Sequence, residues 1–220
     1  MAIHAKPSGA YAEESEEWLD NINAFWQFAA GLGYTAEAFA GMMGNAQHEG
    51  GMNPWRWQND YCDPDYDNGY GLFQYTPGRG YINDYGHYSS RYAPNLSVTQ
   101  QTAGSSPDDG LAQIEVIDAS GKYISYGRTS LLLPYVPDCA DYSTLQDFMT
   151  CTNVVKATYL WVGFFEWPDW WRDQRDVPRM MQLRLDSANA VLSHLQPSPT
   201  ISLLMYGGGR ENIRRNILRR

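Results

Sequence analysis

Apolar residues recur at helical spacing in three long stretches of the chain. In the first, Trp18, Ile22, Phe25, Ala29 and Leu32 fall on one face, and the pattern predicts a helix over residues 14–32. An acidic cluster sits at its N-terminal end, where the helix dipole favours negative charge, and Gly33 stops it. A second helix starts on Thr35 as cap, buries Phe39, Met42 and Ala46, and ends at Gly50-Gly51. Glu49 lies three residues past Ala46, on the same face. The third stretch runs from about Pro178 to Leu195, with Met181, Leu185, Ala188, Leu192 and Leu195 inward.

Shorter signals fill the middle. Ser106-Pro107-Asp108-Asp109 reads as a helix start, with Leu111, Ile114 and Ile117 as the apolar face of that helix. Ser143-Thr144-Leu145-Gln146 opens helical sequence that runs, with a break near Thr152, to Glu166, and Trp167-Pro168 closes it. Tyr70 to Thr76 reads as a short extended segment before the Pro77-Gly78 turn, and residues 79–105 as mostly irregular. The expected domain organisation is a flexible lead-in at 1–13, one domain over 14–195, and a linker with a basic tail at 196–220. The fold class is mainly α (α+β), a helical domain with a small β element.

Composition narrows the partners. A formal net charge of −9 argues against nucleic acid, which needs a basic footprint. No apolar stretch reaches membrane-spanning length, and the N-terminus has no basic segment followed by an apolar run. The three cysteines, Cys62, Cys139 and Cys151, do not make a disulfide framework, although Cys139 and Cys151 could pair. The four histidines are scattered, and no Cys/His group has zinc spacing, so neither a metal nor a cofactor is expected. The 8 Trp and 16 Tyr supply rings that either fill the core or pack flat against sugars. Only the tail reverses the charge: residues 210–220 carry five arginines and one glutamate, a net +4. The tail is either a solvated extension or a docking segment.

The chemistry concentrates in Gly44-Asn45-Ala46-Gln47-His48-Glu49-Gly50-Gly51-Met52-Asn53-Pro54, followed by Gly69-Tyr70-Gly71-Leu72-Phe73-Gln74-Tyr75-Thr76. Here the sequence resembles phage tail lysozyme domains of the lysozyme superfamily, which are related to goose-type lysozymes and lytic transglycosylases. In these a helix ends in a catalytic Glu, Asn-Pro comes shortly after, and a Gly-Leu-x-Gln segment lines the cleft. Leu111–Ile117 and Phe164-Phe165-Glu166-Trp167-Pro168 match the family's later helices, so the resemblance touches most of residues 16–195.

The resemblance implies a lysozyme-like fold and cleavage of the β-1,4 bond between N-acetylmuramic acid and N-acetylglucosamine in peptidoglycan. Glu49 is then the acid that protonates the leaving oxygen. Its place on a buried helix face, and at a helix C-terminus, favours the neutral acid this step requires. In conventional animal lysozymes an Asp stands directly before the Tyr-Gly of the cleft segment, whereas this chain has Gly69 there. Asp67 is the nearest candidate for a second carboxylate, with Asp65, Asp63 and Asp60 behind it. Tyr70 and Gln74 are carried over as cleft residues, Thr76 as a group that orients water, and Trp55 and Trp57 as stacking platforms or core. Glu166 is read as structural. A lytic transglycosylase, or a non-catalytic virion protein with the same fold, is the alternative. The expected setting is a phage virion, with the C-terminal tail available to dock on other virion proteins.

Overall fold

Ser15 opens the first helix. Its side-chain oxygen accepts the Trp18 N–H, and α1 (Glu16–Leu32) carries two glutamates in its first turn. The structure is a computed structural model that describes residues 3–6, 8–60, 67–78, 80–81, 110–119, 121–123 and 128–196. Gly33, at φ 102°, takes the left-handed conformation that ends α1. Trp18, Ile22, Phe25 and Ala29 are buried as predicted, while Leu32 at the very end is exposed.

Thr35 caps α2 (Ala36–Glu49) by accepting the Ala38 N–H. The predicted one-sided stripe becomes burial all round, because every residue from Ala38 to Ala46 is inside. The cause is that α2 is packed against both α6 (Val154–Trp161) and α8 (Val177–Leu195), which also touch one another. Small residues allow the close approach. A Cβ on Gly41 would lie 2.7 Å from that of Ala157 on α6, and one on Gly44 would lie 2.6 Å from both the Ala188 Cβ and the Arg184 carbonyl oxygen on α8.

The remaining helices pack around this trio. They are α3 (Leu111–Ala119), α4 (Thr129–Leu132), α5 (Leu145–Met149) and α7 (Asp169–Arg172). Leu111, Ile114 and Ile117 are buried, while the expected Ser106 start lies outside the described residues. Thr144 caps α5 with Asp147 as its reciprocal partner, one residue later than the predicted Ser143. The predicted break falls between α5 and the Asn153 cap of α6. Helix α6 runs on as a π-helical turn, Val162–Glu166, closed by Trp167 at φ 50°. In α8 the inward face is rotated from the expected one. Met181, Arg184, Ser187, Ala188 and Val191 are buried, and Leu185, Leu192 and Leu195 are only partly covered. Polar Arg184 and Ser187 are tolerated inside because Arg184 bonds to Glu49 and Ser187 to Glu13.

The β element is smaller than an extended strand. Tyr70 and Tyr75 exchange backbone hydrogen bonds at 3.1 and 2.9 Å, and Tyr70 also bridges to Trp57. Gly71 at φ 83° and Gln74 at φ 47° fold the expected strand into a tight hairpin. Among the described residues no longer strand forms. Trp161 of α6 ties this hairpin to the helices, with ring centroids 5.6 Å from Phe73, 4.3 Å from Phe165 and 5.2 Å from Phe148. Cys139 and Cys151 are both buried free thiols.

The lead-in is tied down rather than flexible where it is described. The Asn53 side-chain amide donates to the carbonyls of Lys6 and Gly9, both at 2.9 Å. The buried Asn21 amide donates to His4 O at 2.9 Å, and Tyr11 N donates to Gly51 O at 2.9 Å. These bonds replace water on backbone groups that a loose segment would leave solvated. The basic tail lies outside the described residues, as do Cys62, Asp63 and Asp65.

Candidate active site

Glu49 is the last residue of α2, and the glycine after it permits an unusually close contact. A Cβ on Gly50 would sit 2.4 Å from the Gly71 carbonyl oxygen and 2.6 Å from the Leu72 Cα. Glycine at 50 therefore lets the hairpin seat directly on the helix end. Gly50 N–H donates to Leu72 O at 3.2 Å as well as to Ala46 O at 2.8 Å. Fully buried Gln113 on α3 locks the same corner. Its Oε1 accepts the Leu72 N–H at 2.7 Å, and its Nε2 donates to Pro54 O at 2.7 Å. Tyr75 Oη donates to the Gln113 carbonyl at 2.8 Å. The Asn53-Pro54 turn and the hairpin are thus held against α3 by one side chain and one carbonyl.

The Glu49 carboxylate reaches across to α8. Arg184 Nη2 donates to Glu49 Oε1 at 2.6 Å, with side-chain exposures of 2% for Arg184 and 22% for Glu49. The guanidinium also lies over the Trp170 ring at 4.9 Å. Its Nε and Nη1 have no hydrogen-bond partner among the described residues. Burying a cation is costly without a counter-charge, so Glu49 is what makes Arg184 tenable inside. Beside them, His48 Nε2 lies 3.1 Å from Ser187 Oγ, which in turn donates to Glu13 Oε1. Burial, followed by the charge of Arg184, pulls the His48 pKa down, against opposing effects of Glu13 and Glu49.

Glu49 and His48 face an open cleft of about 470 Å³. Glu49, His48, Gln74, Thr76, Lys122 and Glu166 line it, with Phe165 as an aromatic surface. Gln74 is placed by its own amide, which donates to Gly71 O at 2.9 Å and Arg56 O at 3.2 Å. Thr76 is exposed on the rim, its hydroxyl on Gln74 O at 3.0 Å.

Other sequence-derived candidates fall elsewhere. Trp55, Trp57 and Tyr70 are 5%, 1% and 0% exposed, so the two tryptophans are buried rather than sugar platforms and Tyr70 is buried rather than a cleft residue. The Tyr70 ring packs on Trp57 at 4.8 Å, because the two residues form one of the β-bridges. Asp67 is exposed and outside the set of residues lining the cleft, as is Asp60, which is bound by Arg56 at 3.0 Å and by Gly9 N at 2.6 Å. Among the described residues, the carboxyl group that shares the cleft with Glu49 is Glu166. It sits at the end of the π-helical turn, deep in the wall but still reaching the cleft, and accepts Trp161 Nε1–H at 3.0 Å. Burial and the Glu49 charge push its pKa well above the usual carboxylate range, while Arg184, the Trp161 hydrogen bond and Lys122 pull the other way. Burial lowers the Lys122 pKa, and Glu166 offsets part of that.

Arg184 escaped the sequence reading. Its only local signal is position, since it shares the 181, 184, 188 face of α8 with buried Met181 and Ala188. Among the described residues no three His, Cys, Asp or Glu side chains cluster in a way that could hold a metal.

A helix ending in a cleft glutamate, backed by a hairpin and crossed by two further helices, defines a lysozyme-like helical domain. The family model for phage tail lysozyme matches residues 20–195, from within α1 to the last residue of α8. The chain belongs to the phage tail lysozyme family. It is accordingly a phage-associated protein of glycosidase type whose substrate class is peptidoglycan. No helix among the described residues is long and apolar enough to cross a membrane.

Proposed function

We propose that the protein is a muramidase that hydrolyses the β-1,4 bond between N-acetylmuramic acid and N-acetylglucosamine, with Glu49 as its acid. The observation that carries this reading is Glu49 at a helix end in the cleft, with Arg184 on one of its oxygens. As the proton passes to the leaving oxygen, negative charge develops on Glu49. An N–H already aimed at that carboxylate, in a buried setting, stabilises the charge as it forms. Gln74 and Thr76 line the cleft with Glu49, which supports roles for them in contacting the sugar and its attacking water. The family supports a virion-borne enzyme, and residues 196–220 are proposed to dock it on other virion proteins.

A lytic transglycosylase uses the same acid, but the muramyl hydroxyl attacks and no water is consumed. The position of Asp67 outside the cleft favours this second reading, since it takes away the nearest carboxylate expected to activate water; Asp63 and Asp65 lie outside the described residues. Mass spectrometry of released muropeptides separates the two, because the anhydro product is lighter by one water.

The test of the enzyme itself is Glu49→Gln. Gln keeps the shape but carries no transferable proton, and general acid catalysis contributes about 10²–10⁴-fold. Wall clearing should fall by that order, and thermal unfolding is followed alongside because Gln no longer neutralises buried Arg184. Clearing near the wild-type rate would overturn the assignment.

A further inference from the structure

The turn that follows Glu49 does not hold its own shape. Gly51 and Met52 both take left-handed backbone, at φ 61° and 54°, and a residue with a side chain such as Met52 stays there only when its surroundings impose it. Both carbonyls of the turn are held from outside. Gly51 O accepts the Tyr11 N–H at 2.9 Å, and Met52 O accepts from the buried Asn21 amide at 2.9 Å. The same Asn21 amide donates to His4 O, and Asn53, next in the turn, donates to Lys6 O and Gly9 O. A Cβ on Gly51 would collide with the Ala10 Cβ, so the N-terminal segment lies directly on this glycine, as the hairpin lies on Gly50. The segment also reaches α8. Ser187 gives its one hydroxyl proton to Glu13, so His48 Nε2–H, 3.1 Å away, is the donor to the Ser187 oxygen. Both His48 and Glu49 line the cleft. This segment, described at residues 3–6 and 8–13, lies outside the residues matched to the family.

We propose that the N-terminal segment is a strap that positions the C-terminal end of α2 for catalysis. It fixes the turn behind Glu49 and, through Ser187, the His48 ring beside it. The inference rests on the reading of Glu49 as the acid. No strap residue lines the cleft, so each acts through another and is a positioning residue. A reacting group displaced by about 1 Å loses on the order of 10²-fold in rate. The hairpin and the π-helical turn, which form the cleft walls, make their own contacts with α3 and α6 and stay in place without the strap. Loss of the strap therefore acts on turnover rather than on substrate binding.

The experiment measures kcat and KM on soluble peptidoglycan fragments for wild type, a chain lacking residues 1–11, Glu13→Ala and Glu13→Gln. Each protein is assayed well below its own melting midpoint, because a loss of folded protein would imitate a fall in kcat. The shortened chain, which lacks every strap partner of Gly51 and Asn53, should lose at least about tenfold in kcat with KM changed by less than about threefold. Glu13→Ala removes the acceptor of Ser187 and should lower kcat by about threefold or more. Glu13→Gln keeps an acceptor and should recover most of that loss. A folded shortened chain that turns over within about threefold of wild type overturns the proposal. So does a Glu13→Ala variant equal to wild type, or a Glu13→Gln variant as impaired as Glu13→Ala. Should the shortened chain not fold, the two Glu13 variants decide. Failure of the parent reading shows separately, as activity retained by Glu49→Gln.

Discussion

Arg184 Nη2 donates to Glu49 Oε1 at 2.6 Å, joining α8 to the C-terminal end of α2 across 135 residues of chain. The pair fixes the Glu49 carboxyl and also counters the charge of a buried cation. Replacing Arg184 with Met leaves Glu49 without its donor and should cut turnover by about 10²-fold through misplacement of the carboxyl. In a cycle of wild type, Arg184→Met, Glu49→Gln and the double variant, the two changes should couple by about 1–3 kcal/mol in unfolding free energy. Denaturant titrations of the four proteins check this, and strictly additive losses would show that the bond contributes nothing to stability.

The environment of Glu166 has a consequence for stability against pH. Burial and the Glu49 charge raise its folded-state pKa, so the folded protein disfavours its ionised form. Its contribution is therefore complete below the unfolded value of about 4.3 and is lost as pH rises through the folded pKa. Glu166→Gln, which cannot ionise, should gain on wild type in melting temperature as pH is raised from about 4 to about 8. A difference that stays constant over that range would contradict the burial of the charge.

Two helix glycines should respond oppositely to the same substitution. A Cβ on Gly44 would meet the Arg184 carbonyl and Ala188 at 2.6 Å, so Gly44→Ala forces α2 and α8 apart and should cost about 1–3 kcal/mol. Gly31 in α1 has nothing within 4 Å of that position, and Gly31→Ala should stabilise by about 0.5–1 kcal/mol through backbone entropy. Chemical denaturation measures both. The first variant should also lose activity, since the displaced helix carries Arg184.

Asp67 is exposed and does not line the cleft. Asp67→Asn should change turnover by less than about threefold, because a group outside the cleft cannot exchange a proton with the reacting atoms. A loss of about a hundredfold in steady-state turnover would return the second catalytic role to this loop.

Local devices were legible from the residues alone. Thr35 as a cap, Gly33 as a stop and the break near Thr152 each depend on neighbours within a few positions, whereas the Ser15 cap falls one residue inside the predicted start at 14. The place of Glu49 was legible too, because a helix end, a Gly-Gly stop and the Asn-Pro beyond it are contiguous in the chain. The hairpin was visible as a segment but not as a turn, since its closure depends on Gln74 adopting φ 47° against Gly50 and Gln113.

What only the tertiary structure decided are the meetings between distant segments. Glu49 acquires Arg184 because Gly44 and Ala188 let α2 and α8 cross closely enough for the side chains to reach. Trp57, readable as a sugar platform or as core, and Tyr70, carried over as a cleft residue, became core because they pair with each other in a bridge. Asn53 found its partners in residues 6 and 9, and Glu166 became chemically distinct only when the π-helical turn buried it in the wall of the cleft that Glu49 also lines. Hydrophobic period and capping act over one or two helical turns. The charge environment of a carboxyl depends on whatever the packing of whole helices brings within a few ångströms of it.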